Sequence, residues 1–339
     1  MEKFCAPYIS YWKRTFLSLI AIAMLLPSQA WGASVAISVD TPQDTNTTAD
    51  DYNIDTNDVT FTNNANISFA AGDTVDVVPA STGVTIINNG TISTTGVRAI
   101  DANVGSNNLT IINSGTILAS GGQGIRVQTS SDISIINNAG ATITGTTAAA
   151  INLGGSSGTL TNSGTISSDS QTIQAGAGAG GLTITNTASG VISSSGGIVV
   201  RLETGTTLIN SGTIERTDTA TGQSVSFRGS NNTLILKEGS ILVGKINVLS
   251  SGFTGNKLQI DQGFGQAYFY ETSGFASELT LEDLSGNTVV EGSAGSVGQG
   301  PNESVDELLG LRTFNLCSAT KPMAAESISS ILSNNTNSI

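Results

Sequence analysis

The sequence TIINNGTIS at residues 85–93 returns almost unchanged as TIINSGTIL at residues 110–118, which lie 25 residues further along the chain. Its centre, Asn-x-Gly-Thr-Ile, occurs again several times, and two of the copies carry a two-residue insertion. The first Asn of each copy, including a weaker early copy, is Asn63, Asn88, Asn113, Asn137, Asn162, Asn186 or Asn210. The successive spacings are 25, 25, 24, 25, 24 and 24 residues. This period predicts a repeat protein.

The residues around each Asn predict short strands joined by turns. The residue two positions before the Asn is always apolar, and the residue four positions before it usually is. This is the period-two pattern of a strand with one buried face. The Gly indicates a tight turn, and Thr-Ile begins a second strand. A third apolar patch follows, as at Ile125 and Val127.

Three strands and three turns in each repeat predict one rung of a right-handed parallel β-helix, an all-β solenoid. Each rung stacks on the next at ~4.8 Å, and each inward Ile or Leu contributes about 1.5–3 kcal/mol by burial. A leucine-rich repeat has units of similar length, but it needs paired leucines and a helical segment in every unit. A β-propeller needs units of about 40 residues that are rich in aromatic residues, which make up only 5% of this chain.

The first 32 residues are interpreted as a secretory signal peptide. Basic residues precede an apolar run from Phe16 to Leu26, and small residues follow that run. The run is shorter than the ~20 residues that cross a bilayer, so no transmembrane span is expected in the mature chain. Cys5 lies in the removed segment and leaves Cys317 as the one remaining cysteine. The mature chain is therefore expected to form no internal disulfide.

The repeat divides the remaining chain into three parts. Residues 33–58 are polar and acidic, and we expect them to form an N-terminal cap over the first rung. Residues 59–262 are assigned to the β-helix. Residues 263–339 lose the period and are expected to form an irregular C-terminal tail. Within this tail, Ser304–Glu307 reads as a capping box before three leucines, which predicts a short helix near residues 304–311.

The composition argues against several kinds of chemistry. The chain contains no His, which removes Ser-His and Cys-His catalysis and His-ligated metal sites. Only 12% of the residues are charged, about half of the ~25% that is typical of soluble domains. The formal net charge is −13. Because nucleic acids and anionic head groups need a basic patch, neither is expected as a partner.

A signal peptide followed by rungs with the Asn-Ser-Gly-Thr-Ile phrase resembles the passenger domain of a Gram-negative autotransporter, a type V secretion protein. Residues 232–261, in which Lys237 is aligned with the Asn position, are similar to the closing rungs of such passengers. The resemblance covers roughly residues 1–262. It implies a helix and an outer-membrane β-barrel after the passenger. Since 339 minus 262 leaves 77 residues, too few for even eight strands of about 10 residues with turns, we expect this chain to lack the translocator.

Two sets of residues are candidates for a catalytic or binding role. The Asn ladder is interpreted as structural, because stacked amides bond to one another and cap turns. Pectate-lyase-type β-helices use an Arg base with several carboxylates on one face. The candidates here are the arginines and the aspartates of the central rungs, namely Arg98, Arg126, Arg201, Arg228, Asp101, Asp132 and Asp169. The aspartates are widely spaced, so the arginines are interpreted as solvated, and no catalytic residue, metal site or cofactor is expected.

The resemblance implies an exported, non-catalytic protein whose long surface contacts host-surface or neighbouring-cell molecules, with self-association as a further expectation. The family is found at the cell surface or outer membrane, and a chain without a translocator would be periplasmic or secreted. One alternative is a secreted polysaccharide lyase or hydrolase of the same fold. Three or more carboxylates on one strand face, or Arg with carboxylates, would favour it. Another is a surface-array or tailspike component, which a trimer would favour.

Overall fold

A computed structural model describes residues 34–48, 51–176, 181–218, 222–266, 268–292 and 295–299. The signal peptide and the short helix expected near residues 304–311 lie outside these ranges. Within them, the chain is all-β and winds into a parallel β-helix with rungs of about 25 residues. The fold class predicted from the repeat is confirmed.

The described residues form three long parallel sheets, one for each side of the solenoid. Sheet A contains β1 (Ser34–Ile37), β3 (Asp51–Ile54), β6 (Val75–Val77), β9 (Arg98–Ala102), β12 (Gln123–Gln128), β15 (Ile151–Gly154), β18 (Ile173–Ala175), β21 (Val200–Leu202), β24 (Gln223–Phe227), β27 (Lys245–Val248) and β29 (Glu271–Gly274). Sheet B contains β2 (Thr41–Gln43), β4 (Thr60–Asn63), β7 (Thr85–Asn88), β10 (Thr110–Asn113), β13 (Ile133–Asn137), β16 (Gly158–Asn162), β19 (Leu182–Asn186), β22 (Thr207–Asn210), β25 (Thr233–Lys237), β28 (Asn256–Asp261) and β30 (Leu279–Asp283). Sheet C contains β5 (Asn66–Phe69), β8 (Thr91–Thr94), β11 (Thr116–Ala119), β14 (Thr142–Gly145), β17 (Thr165–Ser168), β20 (Val191–Ser194), β23 (Thr213–Arg216) and β26 (Ile241–Val243).

Three further elements lie in the C-terminal part of the described chain. A 3-10 turn covers Ala276–Glu278 between β29 and β30, and after β30 the strand β31 (Thr288–Gly292) pairs in antiparallel fashion with β32 (Gly295–Gln299). Among the described residues, no helix has the length and apolar character that a membrane span requires.

Equivalent residues of successive rungs lie directly above one another. Ile111 of β10, for example, pairs with Ile86 on one side and with Ile135 on the other. All three are fully buried, whereas Thr110 beside them points outward and is partly exposed. The inward positions are mostly β-branched or leucine, which suits a pleated strand with one dry face. The hydrophobic core is therefore a set of aliphatic columns that run along the solenoid.

The Gly of the repeated phrase is needed for close stacking between rungs. A Cβ at Gly115 would lie 2.0 Å from the carbonyl oxygen of Gly90 in the rung before. Gly90 stands in the same relation to Ala65, again at 2.0 Å. A side chain at these positions would force the turns apart, so the repeated Gly keeps successive turns at the spacing of the strands.

Parallel pairing continues beyond the range 59–262 that the periodicity marks. In the N-terminal segment assigned to a cap, β1 pairs with β3 and β2 pairs with β4. In the segment assigned to the tail, β29 pairs with β27 and β30 with β28. Backbone hydrogen bonds define this pairing, and they need little from the side chains. Rungs therefore form where the sequence period is too weak to show them.

The closing rungs follow a register that differs by one residue from the sequence alignment. Asn210 pairs with Leu236, and not with Lys237. Lys237 pairs instead with Asp261 of β28. Leu234 and Leu236 are fully buried, so the alternation of apolar residues sets the register. The placement of Lys237 at the Asn position was wrong.

Candidate functional site

The seven asparagines of the repeat form an amide ladder inside the solenoid, at the corner between sheets B and C. All seven are fully buried. Each Nδ2 donates to the Oδ1 of the next Asn at 2.8 Å, from Asn63 through to Asn210. Nδ2 also donates to backbone carbonyls, as Asn113 does to Gly115 at 3.2 Å and to Thr142 at 3.0 Å. The ladder thus satisfies turn carbonyls in a dry interior, which is the structural role that the sequence predicts.

The outward face of sheet A brings together carboxylates that the sequence interpretation kept apart. Asp76 of β6, Asp101 of β9 and Arg126 of β12 lie opposite one another in three successive strands. Asp73 lies shortly before β6, and Arg98 begins β9. Oxygen atoms of the three aspartates all lie within 4.8 Å of one another. We call these five residues the sheet A cluster.

Both arginines of the sheet A cluster are ion-paired. Arg126 donates to both oxygens of Asp101, from Nε at 2.6 Å and from Nη2 at 2.5 Å. Arg98 Nη1 lies 3.2 Å from Asp73 and 3.5 Å from Asp101. The Asp101 side chain is only 3% exposed, and two-point pairing with Arg is among the stronger ways to hold such a carboxylate. The expectation that Arg98 and Arg126 are simply solvated was wrong.

Asp76 is the member of the cluster whose charge is most easily changed. Burial raises the pKa of Asp76 to about 6, and the negative charges of Asp101 and Asp73 add to the effect. Asn103 Nδ2 donates to Asp76 Oδ1 at 2.7 Å, which partly opposes the shift. Burial also raises the pKa of Asp73, although Arg98 works against it. A carboxyl group with a pKa near 6 can exchange a proton close to neutral pH.

The cluster holds oxygen ligands of the type that hard divalent cations prefer. However, the two guanidinium groups leave a net charge of only −1 on three carboxylates. Arg126 also occupies both oxygens of Asp101, so a cation would compete with an existing ion pair. The geometry therefore fits a salt-bridge network better than it fits a metal centre.

The other candidate residues do not join this cluster. Arg201 Nε donates to Glu203 at 2.6 Å, and Glu203 is only 5% exposed. Burial and the nearby charge of Arg201 lower the pKa of Arg228. Asp132 adopts a positive φ of 57° in a turn, and Asp169 accepts a hydrogen bond from Ser195 at 2.8 Å. These residues lie at separate places along the solenoid.

The outward face of sheet B is a second surface, and the sequence interpretation did not find it. We define the sheet B face as the two outward columns of strands β4, β7, β10, β13, β16, β19, β22 and β25. The first column consists of Thr60, Thr85, Thr110, Ser134, Thr159, Thr183, Thr207 and Thr233. The second consists of Thr62, Ile87, Ile112, Ile136, Thr161, Thr185, Ile209 and Ile235. Every position is at least partly exposed, and none is charged or aromatic.

The repeat spacing could have revealed both surfaces. Asp76, Asp101 and Arg126 are 25 residues apart, as are Thr85 and Thr110. Residues that share the period share a column, whatever their chemistry. The apolar residues indicate only the inward columns, and the same period in the polar residues indicates the outward ones.

Comparison with known proteins gives no information on the role of these two surfaces. No family model matches the chain, and neither a curated protein nor a solved structure matches it. The resemblance to autotransporter passengers therefore stays a prediction from the repeat.

Proposed function

We propose that the chain is an exported, non-catalytic β-helix of the autotransporter passenger type, which makes adhesive contacts with host-surface or neighbouring-cell molecules. The observation that supports this most is the sheet B face, in which the same kinds of uncharged side chain recur in eight successive strands. At ~4.8 Å per rung, seven steps extend over about 34 Å. A surface of that length can make many weak contacts at once, and such contacts reinforce one another.

The side chains of this face suit binding at low cost. Thr and Ile are branched at Cβ and lose little rotamer freedom when they are covered. Uncharged groups are also cheaper to strip of water than charged ones. The solenoid holds the columns rigidly, so the face is already arranged before a partner arrives.

The test is binding of the purified full chain, coupled to beads, to whole cells. Thr110→Asp with Thr159→Asp places two charges on the sheet B face, and we expect cell binding to fall more than tenfold. The matched control, Asn152→Asp with Gln174→Glu, places two charges on the outward face of sheet A and should change binding less than twofold. Equal losses in the two double variants, or no loss in either, would contradict the proposal.

The sheet A cluster favours one alternative, a secreted polysaccharide lyase or hydrolase. Its three carboxylates and two arginines on one strand face are the combination that such an enzyme needs. Asp76, with a pKa of about 6, has the property of a general acid or base. Arg126, in contrast, donates to both oxygens of Asp101. That pairing stabilises its protonated form and opposes a role as the base, so the non-catalytic proposal is preferred.

The two functions differ in whether polysaccharides are cleaved. The chain is incubated with acidic and neutral polysaccharides, with and without calcium, and we expect no new reducing ends and no unsaturated products. Turnover that Asp76→Asn and Arg126→Ala both abolish would assign the chain to the enzymes and overturn the adhesive proposal.

A further inference from the structure

The regularity of the sheet B face indicates the physical nature of a partner. We propose that this face binds ice. The proposal rests on the proposed function, because it names a partner for the same contact surface. It is carried by three observations: the spacing of the columns, the free hydroxyl groups and the lack of charge.

The two columns form a regular grid. Neighbouring rungs repeat each column at ~4.8 Å, and the two columns of one strand are two residues, or about 6.6 Å, apart. From β4 to β25 the pairing of sheet B proceeds residue by residue in constant register. Ice differs from liquid water only in the order of its molecules. A surface that distinguishes the two must therefore hold its hydrogen-bonding groups at fixed and repeating positions.

The first column supplies such groups. Seven of its eight residues are Thr and the eighth is Ser134, so every rung offers a hydroxyl that can both donate and accept. Within the described part of the chain, none of these eight hydroxyls has a hydrogen-bond partner in the protein. They are free to bond to water. The β-branched side chain of Thr also restricts where its hydroxyl can lie.

The hydroxyls of sheet C are less available. Thr142 Oγ1 donates to Thr116 Oγ1 at 3.3 Å, and Thr144 and Ser167 share a hydrogen bond at 3.2 Å. Its outward columns are also interrupted by Val191 and by the charged Glu215. Sheet B is therefore the better candidate of the two hydroxyl-bearing faces.

The charges of the chain favour an uncharged partner for this face. The chain carries a formal net charge of −13, yet no position in the two columns from β4 to β25 is ionisable, and their first charged residues, Lys257 and Glu282, come later in β28 and β30. The charged residues at the same level of the solenoid include Asp101, Arg126 and Arg201, which lie on sheet A. A charged side chain on this face would order the nearby water molecules around its own charge, and not in the arrangement of the ice lattice. The uncharged grid of hydroxyl and methyl groups matches an uncharged, hydrogen-bonding solid.

A crystalline polysaccharide is also an uncharged periodic solid. Flat ligands such as sugar rings are commonly covered by aromatic side chains, which offer large rigid faces. None of the sixteen positions of the sheet B face is aromatic. This favours ice over a polysaccharide crystal.

The test uses the purified full chain and slowly growing ice. We expect the wild-type chain to be incorporated into the ice and to inhibit ice recrystallisation. Thr110→Lys with Thr159→Lys should reduce the inhibition more than tenfold. Thr116→Lys with Thr165→Lys on sheet C, and Asn152→Lys with Gln174→Lys on sheet A, should each change it less than twofold. Circular dichroism and the melting temperature of each variant establish that it is folded.

A subtler pair of variants separates the hydroxyl from the shape of the side chain. Thr110→Val with Thr159→Val keeps the branching and removes two hydroxyls. We expect a measurable loss of inhibition that is smaller than the loss caused by lysine. No loss at all would show that the hydroxyl column does not take part and would overturn the argument from hydrogen bonding.

Other outcomes also decide the matter. Exclusion of the wild-type chain from ice overturns the proposal, as does an equal loss when sheet B and sheet C are changed. Retention on crystalline cellulose or chitin without retention in ice overturns it in favour of a polysaccharide. Cell binding above freezing is measured separately. A chain that binds cells but not ice loses this inference alone, whereas a chain that binds neither loses the proposed function as well.

Discussion

Two regions of the solenoid satisfy the carbonyl groups of their turns in different ways. These regions are the rungs that carry the amide ladder, residues 63–210, and the closing rungs, residues 233–283. Both have turns after sheet B whose carbonyl groups face the interior and need donors. In the ladder rungs the repeated Asn supplies them, as Asn137 does to Ala141 at 3.4 Å. In the closing rungs the equivalent inward positions are Leu236 and Ile260, which have no donor to give.

Two residues from the following rung replace the amide in the closing region. Gln262 Nε2 donates to Leu236 at 3.1 Å and to Lys237 at 2.6 Å. The Tyr268 hydroxyl donates to the carbonyl oxygen of Ser240 at 3.3 Å. Burial raises the pKa of Tyr268 to about 12, so this hydroxyl keeps its proton near neutral pH. The carbonyl groups of a turn therefore need hydrogen-bond donors, but these donors need not come from the same residue type in every rung.

The largest expected effect comes from a charge placed in the core of either region. Ile135 is fully buried and Leu258 is 1% exposed, so Ile135→Asp and Leu258→Asp each bury a carboxylate without a partner. We expect each to cost about 4 kcal/mol or more of unfolding free energy, measured by urea denaturation. Amide exchange should place the damage in different rungs, because each rung contacts only its neighbours.

The control for this pair is the outward neighbour Thr110. Thr110→Asp should cost less than about 1 kcal/mol, since the new carboxylate remains hydrated. Equal damage from Thr110→Asp and Ile135→Asp would contradict the register of sheet B.

The second effect tests whether the amide is essential only in the ladder. Asn137→Leu imitates the closing rungs, but it removes the donor to Ala141 and the acceptor for Asn113. We expect a loss of about 2–3 kcal/mol, because several buried polar groups lose a partner. The reverse change, Leu236→Asn, should cost about 2 kcal/mol or more, because it gives up the burial of Leu236 and buries an amide in a turn whose carbonyl groups Gln262 already serves. Thermal unfolding measures both variants, and a Leu236→Asn variant as stable as the wild type would show that the closing turn still lacks a donor.

The ladder rungs were predictable because the same contact recurs in every repeat, so that each copy of the sequence supports the others. One apolar pattern predicted the inward columns of sheet B, and one Asn position predicted the whole ladder. Lys237 shows where this fails. By residue type, the polar Lys237 matches the polar Asn, whereas burial of Leu234 and Leu236 decides the register. Gln262 and Tyr268 could not have been found, because each contact occurs once and no copy fixes its register.

The candidate sites were predictable to a smaller extent. The sequence places Asp101 three residues after Arg98, and the structure brings their side chains together. Asp73 and Asp76 were missed because they lie in an early rung with a weak copy of the phrase. Their spacing from Arg98 and Asp101, 25 residues in both cases, contains the information. How deeply Asp101 is buried depends on how the side chains fill the face, and the period does not give that.

The third effect tests the donors of the closing rungs. Gln262→Leu leaves two carbonyl groups without their side-chain donor, and we expect a loss of about 1–2 kcal/mol. Tyr268→Phe removes one hydrogen bond and should cost about 1 kcal/mol. Amide exchange should quicken in the closing rungs and stay unchanged in the ladder. Gln266→Leu, at an exposed position nearby, is the matched control and should have little effect.

The fourth effect concerns pH in the N-terminal half. The pKa of Asp76 is raised from 3.8 to about 6 in the folded chain. A raised pKa means that stability from this group is full below pH 3.8 and is lost as the pH rises through about 6. Asp76→Asn should therefore stabilise the chain at pH 8. Because the Asp76 side chain is partly exposed to solvent, we expect a gain of only about 1 kcal/mol. The gain should vanish below pH 3.8, and a gain that is independent of pH would contradict a charge effect.

The smallest effect is the opposite pH dependence of the closing rungs. Hydrogen bonds from Lys257, at 2.8 Å, and from Gln259, at 2.6 Å, lower the pKa of Glu282 below its usual 4.5. A lowered pKa means that the stability from this group is present above pH 4.5 and is lost as the pH falls through the folded pKa. The Lys257 and Glu282 side chains are 44% and 34% exposed, so their coupling should be only about 0.2–1 kcal/mol. A double-mutant cycle with Lys257→Met and Glu282→Gln measures it at pH 7 and should find it weaker in high salt, since exposed charges are screened. Acid would then weaken the closing rungs while it relieves the charge on Asp76. Lowering the pH from 7 to about 3 should therefore reduce the protection of amides, corrected for their intrinsic exchange rates, more in the closing rungs than around the sheet A cluster. The opposite change would contradict these two charge effects.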